Sequence, residues 1–354
     1  MFKRVLVAAA VAAAFSAPAF AEVKISGSAE LDVMYYTNQA LANGKDGGVF
    51  AIDTPVVLNF DGSDKWDNGL STIWHVSQKP GPGTTWGTGG QANANGKATP
   101  LAAWGSRESY IGISGDFGSV KFGRIFAATY LQKDWPYLTD GSGNAGEDRG
   151  VTAFAFWPNA IQYAGSFGPV SVFATVNDGN GGLSSGSNGY QGYELGGGAD
   201  LAGWHFDASY LGIKNGSANG KYDSTLFLAG RGNVGPVSLD LDFSQDKYDG
   251  SAPNTKENAI HGKVGYSFND KLSLNAGVVY IKDNGGATDG NKATQFNAQL
   301  NYGVSKNTAA FLQFRHIQLG DEGKLPAGFT WQAQGIASDK KSMQRVVIGT
   351  WTGF

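Results

Sequence analysis

Cysteine is absent from all 354 residues, which excludes disulfide staples, thiolate nucleophiles and Cys-ligated metals. Charge is sparse as well. Asp, Glu, Lys and Arg make up 16% of the chain, the formal net charge is −3, and no basic cluster marks a nucleic-acid footprint. Beyond residue 21 no apolar stretch reaches about 18 residues, so helical membrane spans are excluded. His75, His205, His261 and His316 are scattered singly, without metal-ligand or zincin spacing, and read as lumen or rim residues. No metal and no cofactor are expected. A hydrolase would need a serine and a histidine held together by an orienting group; no strand sets such a pair in an evident site, so no catalytic residue is assigned.

Glycine, at 53 residues, and aromatic side chains, at 12%, are plentiful instead. That mixture suits many strands, tight turns and aromatic girdles. Lys3 and Arg4 precede an apolar run from Val5 to Phe15, and Ala19-Phe20-Ala21 supplies a small-x-small cleavage site, so residues 1–21 are expected to be a signal peptide. Residues 22–354 then form one exported domain. Without Lys3 and Arg4 its 30 Asp and Glu outweigh the remaining basic side chains further.

Period-2 alternation runs along the whole domain. Val23, Ile25, Ala29, Leu31, Val33 and Tyr35 alternate with Lys24, Ser26, Ser28, Glu30, Asp32 and Met34; Val237, Leu239, Leu241 and Phe243 alternate with Ser238, Asp240, Asp242 and Ser244. About sixteen strands are expected, at 23–37, 49–60, 69–79, 105–115, 119–125, 158–166, 169–178, 191–200, 204–214, 222–232, 236–246, 257–268, 271–283, 293–303, 308–318 and 342–354. Short turns such as "GDFGS" (115–119) and "NVGPV" (233–237) alternate with longer polar segments at 80–104, 126–156, 179–190, 247–256, 284–292 and 319–341. Tight turns on one rim and long loops on the other is the outer-membrane barrel pattern, with the apolar face toward lipid and the polar face toward a wet lumen. The closing "RVVIGTWTGF" puts Val346, Ile348, Thr350, Thr352 and Phe354 on one face. A strand carried to Phe354 is expected to pair with the first, since a closed barrel leaves no edge in hydrocarbon.

Four stretches carry a family resemblance: "VKISGSAELDVMYY" at the start, the hairpin "SRESYIGISGDFGSVKFGR" (106–124), "NAIQYAGSFGPVSVFATV" (159–176), and the terminal phenylalanine. In these the domain resembles the trimeric general porins of proteobacteria over its whole length. The resemblance implies an all-β, sixteen-stranded antiparallel transmembrane barrel in the outer membrane of a Gram-negative bacterium. Its partners would be outer-membrane lipid, two further copies of the chain, and the ions and small hydrophilic solutes that diffuse through. It also implies that the third long loop, 126–156, folds inward as a constriction.

On that resemblance Arg107 and Arg149 match the basic wall. Lys121 and Arg315, with Lys263 and Arg345, are further basic candidates on lumen-facing parity. Ser28 and Val57 stand where related porins carry basic residues. The acidic candidates of the loop are Asp140 and Asp134, then Glu147 and Asp148. Arg124, on the outward parity of Val120 and Phe122, matches an arginine that latches a neighbouring subunit through its second long loop, 80–104. Lumen-facing Glu30, Asp32, Asp53, Asp207, Asp240 and Asp242 point toward cation preference, although the field at the narrowest point decides it. A substrate-selective channel with a saturable binding site is the alternative reading.

Overall fold

The computed structural model describes residues 22–40, 46–79, 104–105, 107–134, 136–137, 139, 156–177, 191–214, 222–249, 254–327 and 339–354. The strands are β1 (Glu22–Ala40), β2 (Asp46–Asp53), β3 (Val56–Lys65), β4 (Ser71–Gln78), β5 (Glu108–Gly115), β6 (Gly118–Phe126), β7 (Phe156–Phe167), β8 (Val170–Asn177) and β9 (Gln191–Leu201). They continue with β10 (Trp204–Lys214), β11 (Tyr222–Val234), β12 (Val237–Tyr248), β13 (Lys256–Ser267), β14 (Leu272–Asn284), β15 (Lys292–Gly303), β16 (Thr308–Leu319) and β17 (Ser342–Gly353).

β1 is long enough to pair with β2 along its second half, Asp32 opposite Asp53, and with β3 along its first, Ala29 opposite Val56. β2 and β3 are therefore one stave, interrupted at Thr54, whose N–H donates to the Asp53 carboxylate at 2.8 Å, and at Pro55, which has no N–H for the ladder although its carbonyl accepts from the Glu30 N–H at 2.9 Å. That leaves sixteen staves. Each pairs antiparallel with the next, and β17 returns to β1 with Ser28 opposite Gly353 and Tyr36 opposite Arg345. Phe354 completes the seam: its N–H donates to the Gly27 carbonyl at 3.0 Å, and the Gly27 N–H donates to the Phe354 carbonyl at 2.9 Å.

Burial is inverted relative to a water-soluble protein. Leu195, Leu241 and Ile348 are more than 60% exposed, whereas Asp32, Gln295, Gln313 and Arg345 are completely buried. The same alternation produces both sets, because successive side chains point to opposite faces of a strand. A contiguous apolar exterior of this kind requires lipid.

The interior is not uniformly polar. Ala259, Val279, Ile281, Ala293, Ile317, Leu319 and Met343 form a buried apolar patch on β13–β17, and Leu325, from the loop after β16, packs onto it. That loop is fastened there by the Asn291 side chain donating to the Leu325 carbonyl at 2.8 Å and by the Ala327 N–H donating to Asp283 at 2.7 Å.

The long segment between β6 and β7, expected as a loop, carries a helical element. A short helix, α1 (Ala128–Lys133), opens it. Its sequence, ATYLQK, is rich in good helix formers. Ala127 offers no side-chain cap; the first amides are instead taken by Glu194 of β9, which accepts from Ala128 N–H at 2.9 Å and Thr129 N–H at 3.0 Å.

Candidate functional site

The described part of the 126–156 segment lies along the polar face of β9–β14. Gln132 donates to the Gly197 carbonyl and to Asp207, both at 2.9 Å. Lys133 forms a 3.4 Å ion pair with Asp246. The Tyr137 hydroxyl donates to Asp207 at 2.8 Å, and the Pro136 carbonyl accepts from Lys263 at 3.2 Å. Farther round, Thr139 meets His261 at 3.3 Å, and His261 is held through its other ring nitrogen by Asp242 at 2.7 Å. Glycine at position 277 makes this approach possible, since a Cβ there would run into the Thr139 hydroxyl. Burial, followed by the bond to Asp207, pushes the Tyr137 hydroxyl well above its usual range.

Two residues expected of the constriction lie within electrostatic reach of each other. Arg107, just before β5, sets its guanidinium 5.0 Å over the Phe126 ring. It lies within electrostatic reach of Glu108, Tyr130 and Asp134, which favour a charge that burial disfavours. Asp134 ends α1, its N–H donating to the Tyr130 carbonyl at 2.8 Å. Burial first, then Asp134, raises the Tyr130 phenol.

The other basic candidates are spread around the wall. Lys121 of β6 holds its ammonium 4.8 Å over the Tyr110 ring. Arg315 and Arg345 stand directly opposite each other on β16 and β17, both fully enclosed. Arg315 donates to Asn297 at 3.0 Å, and Arg345 to Gln313. Lys263 pairs with Asp240 at 3.3 Å. Arg124 keeps the outward parity of Phe122, with its guanidinium 4.8 Å over Phe156. Asp140, Glu147, Asp148 and Arg149 lie outside the described residues, as does most of 80–104.

Several interior charges had not been singled out. Lys79, immediately after β4, lies within electrostatic reach of Arg107 and of the carboxylates of Asp53, Glu30 and Asp32; burial and then Arg107 lower its pKa, against the pull of those acids. Glu194, Asp246, Glu257 and Asp283 are buried acids on the same polar face. Strand parity alone would have placed them there. Lys133 carried no such signal, because its position follows from α1. His316 is on the exterior face, 6.4 Å from the Phe296 ring, while His75, between Asp61 at 2.7 Å and Glu108 at 3.5 Å, is interior.

Comparison with known proteins fits this barrel. The family model for Gram-negative porins matches residues 8–322. The chain belongs to the Gram-negative porin family. Among curated relatives, the chitoporin of Vibrio furnissii is 27% identical over 197 residues, 52% of this chain and 52% of that protein. The major outer membrane protein P.IB of Neisseria meningitidis is 24% identical over 294 residues, 80% of this chain and 82% of that protein. The match thus spans about half the length of the chitoporin. Among solved structures, the anion-selective porin from Comamonas acidovorans superposes with a TM-score of 0.70 at 18% identity, covering 94% of this chain and all of that one. This porin accordingly resides in the outer membrane of a Gram-negative bacterium, its apolar exterior against lipid.

Proposed function

We propose that the barrel is a water-filled channel for passive diffusion of ions and small hydrophilic solutes, narrowed by residues 126–156. The observation that carries this reading is the row of bonds from Ala128, Gln132, Lys133, Tyr137 and Thr139 to the interior face of β9–β14. A segment fastened to one wall occupies part of the lumen. Arg107 facing Asp134 then sets opposite charges at its edge, a transverse field that orders water and favours small polar solutes. Arg149 joins Arg107, and Asp140, Glu147 and Asp148 join Asp134, in this reading. Such a channel carries solutes down their gradients without chemistry.

The short-turn rim faces the periplasm, and three copies assemble, with Arg124 on the outward face reaching the second long loop of a neighbour. Single-channel recording of the purified protein in a planar bilayer tests the whole reading. Triplet openings that scale with bulk salt and ignore added sugars support a general diffusion trimer; absence of openings overturns the channel. The chitoporin among the relatives favours a second reading, a substrate-selective channel, which requires block that saturates with chitin oligosaccharides.

A further inference from the structure

Register places five interior titratable side chains in one line across consecutive staves near the short-turn rim. Asp200 is opposite His205, His205 opposite Arg231, Arg231 opposite Asp240, and Asp240 opposite Lys263. The line borders a cavity of about 450 Å³. The next interior row toward the rim is neutral and polar: Asn233 is opposite Ser238, Ser238 opposite Gly265, and Gly265 opposite Asn275. Gly265 leaves the gap between them, with the Ser238 hydroxyl and the Asn275 carbonyl oxygen crowding the place a side chain would take.

The acids of this cavity are already engaged. Asp240 pairs with Lys263 at 3.3 Å, and His205 sits between Asp200 at 2.8 Å and Asp207 at 3.2 Å. Arg231 differs. Among the described residues it makes no ion pair; its guanidinium lies 5.9 Å over the Tyr137 ring and is hydrogen-bonded to the Tyr137 side chain, while its Nε has no acceptor. A guanidinium left without a carboxylate, beside amide and hydroxyl groups, matches an anion that also carries hydroxyls.

We propose that this cavity binds a small polyhydroxylated carboxylate, a sugar acid, with Arg231 taking the carboxylate and Asn233, Ser238 and Asn275 the hydroxyls. The site rests on the channel reading above, and lies apart from the Arg107–Asp134 edge on the wall that holds Tyr137. It retains a solute at the end of the lumen opposite the long loops.

The test is block of single-channel current by gluconate added from the short-turn side, with acetate and sorbitol as comparisons. Gluconate is expected to block saturably, while acetate and sorbitol at equal concentration do not. Arg231→Gln should raise the half-blocking concentration about tenfold or more, as expected from loss of a charged hydrogen-bond donor. If that variant fails to assemble, the double variant Ser238→Ala/Asn275→Ala decides, with an expected rise of several-fold. Unchanged gluconate block in an assembled variant overturns the proposal, as does equal block by acetate or sorbitol. Wild-type protein that never opens in plain potassium chloride overturns the channel reading itself, and that result is distinct from openings that gluconate leaves untouched.

Discussion

Glu194 on β9 and Ala128 at the head of α1 are 66 residues apart in sequence and 2.9 Å apart in space. The same carboxylate also takes the Thr129 N–H and the Thr175 hydroxyl, so one acid fixes where the segment leaves the wall. Hydrogen bonds to a charged acceptor contribute about 1.5–3 kcal/mol each. Glu194→Ala is therefore expected to free α1, seen as greater open-channel noise and higher conductance in bilayer recordings. Glu194→Gln, which keeps a carbonyl acceptor, should fall between the two. A quiet channel of wild-type conductance in Glu194→Ala would show that α1 is held by other contacts.

Arg107 and Asp134 should have opposite effects on ion preference. One unit charge acting across about 8 Å of water is worth about 0.5 kcal/mol, roughly a twofold change in permeability ratio. Arg107→Ala should move the reversal potential under a salt gradient toward cations, and Asp134→Asn toward anions. Equal reversal potentials in all three proteins would remove both residues from the conducting edge.

Lys79 gives a pH dependence of definite sign. Its folded pKa lies below the ordinary lysine value because burial and Arg107 disfavour the ammonium. Its positive charge is lost as pH rises through that lowered value, so cation preference should increase at a pH where ordinary lysines remain charged. For the same reason folded-state stability contributed at this position rises with pH through that range. Lys79→Met should show the higher cation preference at neutral pH and no further change on raising it.

Gly27 and Phe354 form the seam of the barrel. A Cβ at Gly27 would collide with the Val57 carbonyl and lie 2.7 Å from the Phe354 ring. Gly27→Val is expected to destabilise the closed barrel by about 1–3 kcal/mol or more from overpacking, and deletion of Phe354 removes two backbone bonds of the seam. Heat-modifiable gel mobility of the refolded protein measures both. Wild-type mobility transitions in each would mean that the seam tolerates an open end.

The staves were legible because lipid and lumen impose the strictest alternation a sequence can carry. β10 was expected at 204–214 and spans Trp204–Lys214, and most other strands differ by one to three residues. The break at Pro55 was hidden, since the alternation on either side reads as one segment. α1 was missed for a different reason: six residues are too few for a helical period to stand out, and its N-terminus is capped from β9. Arg107 was a candidate through family likeness and Asp134 only as one of four acids in the loop, whereas Lys79 was invisible because its importance comes from three neighbours on β1 and β2, remote in sequence. Val279 and Ile281 take the interior parity opposite the exposed Val278 and Tyr280, so alternation places them in the lumen although their apolar side chains give no sign of it.

That interior apolar patch, with Leu325 laid over it, bears on electrical resistance. A sector of the lumen lined by Val279, Ile281, Ile317 and Met343 and capped by the loop after β16 offers no hydration to a passing ion. Together with the segment fastened along β9–β14, it would, in the channel reading proposed above, shift the conducting path off the barrel axis toward β1–β6. On that reading the conductance is expected to fall well below what sixteen staves would allow an empty cylinder.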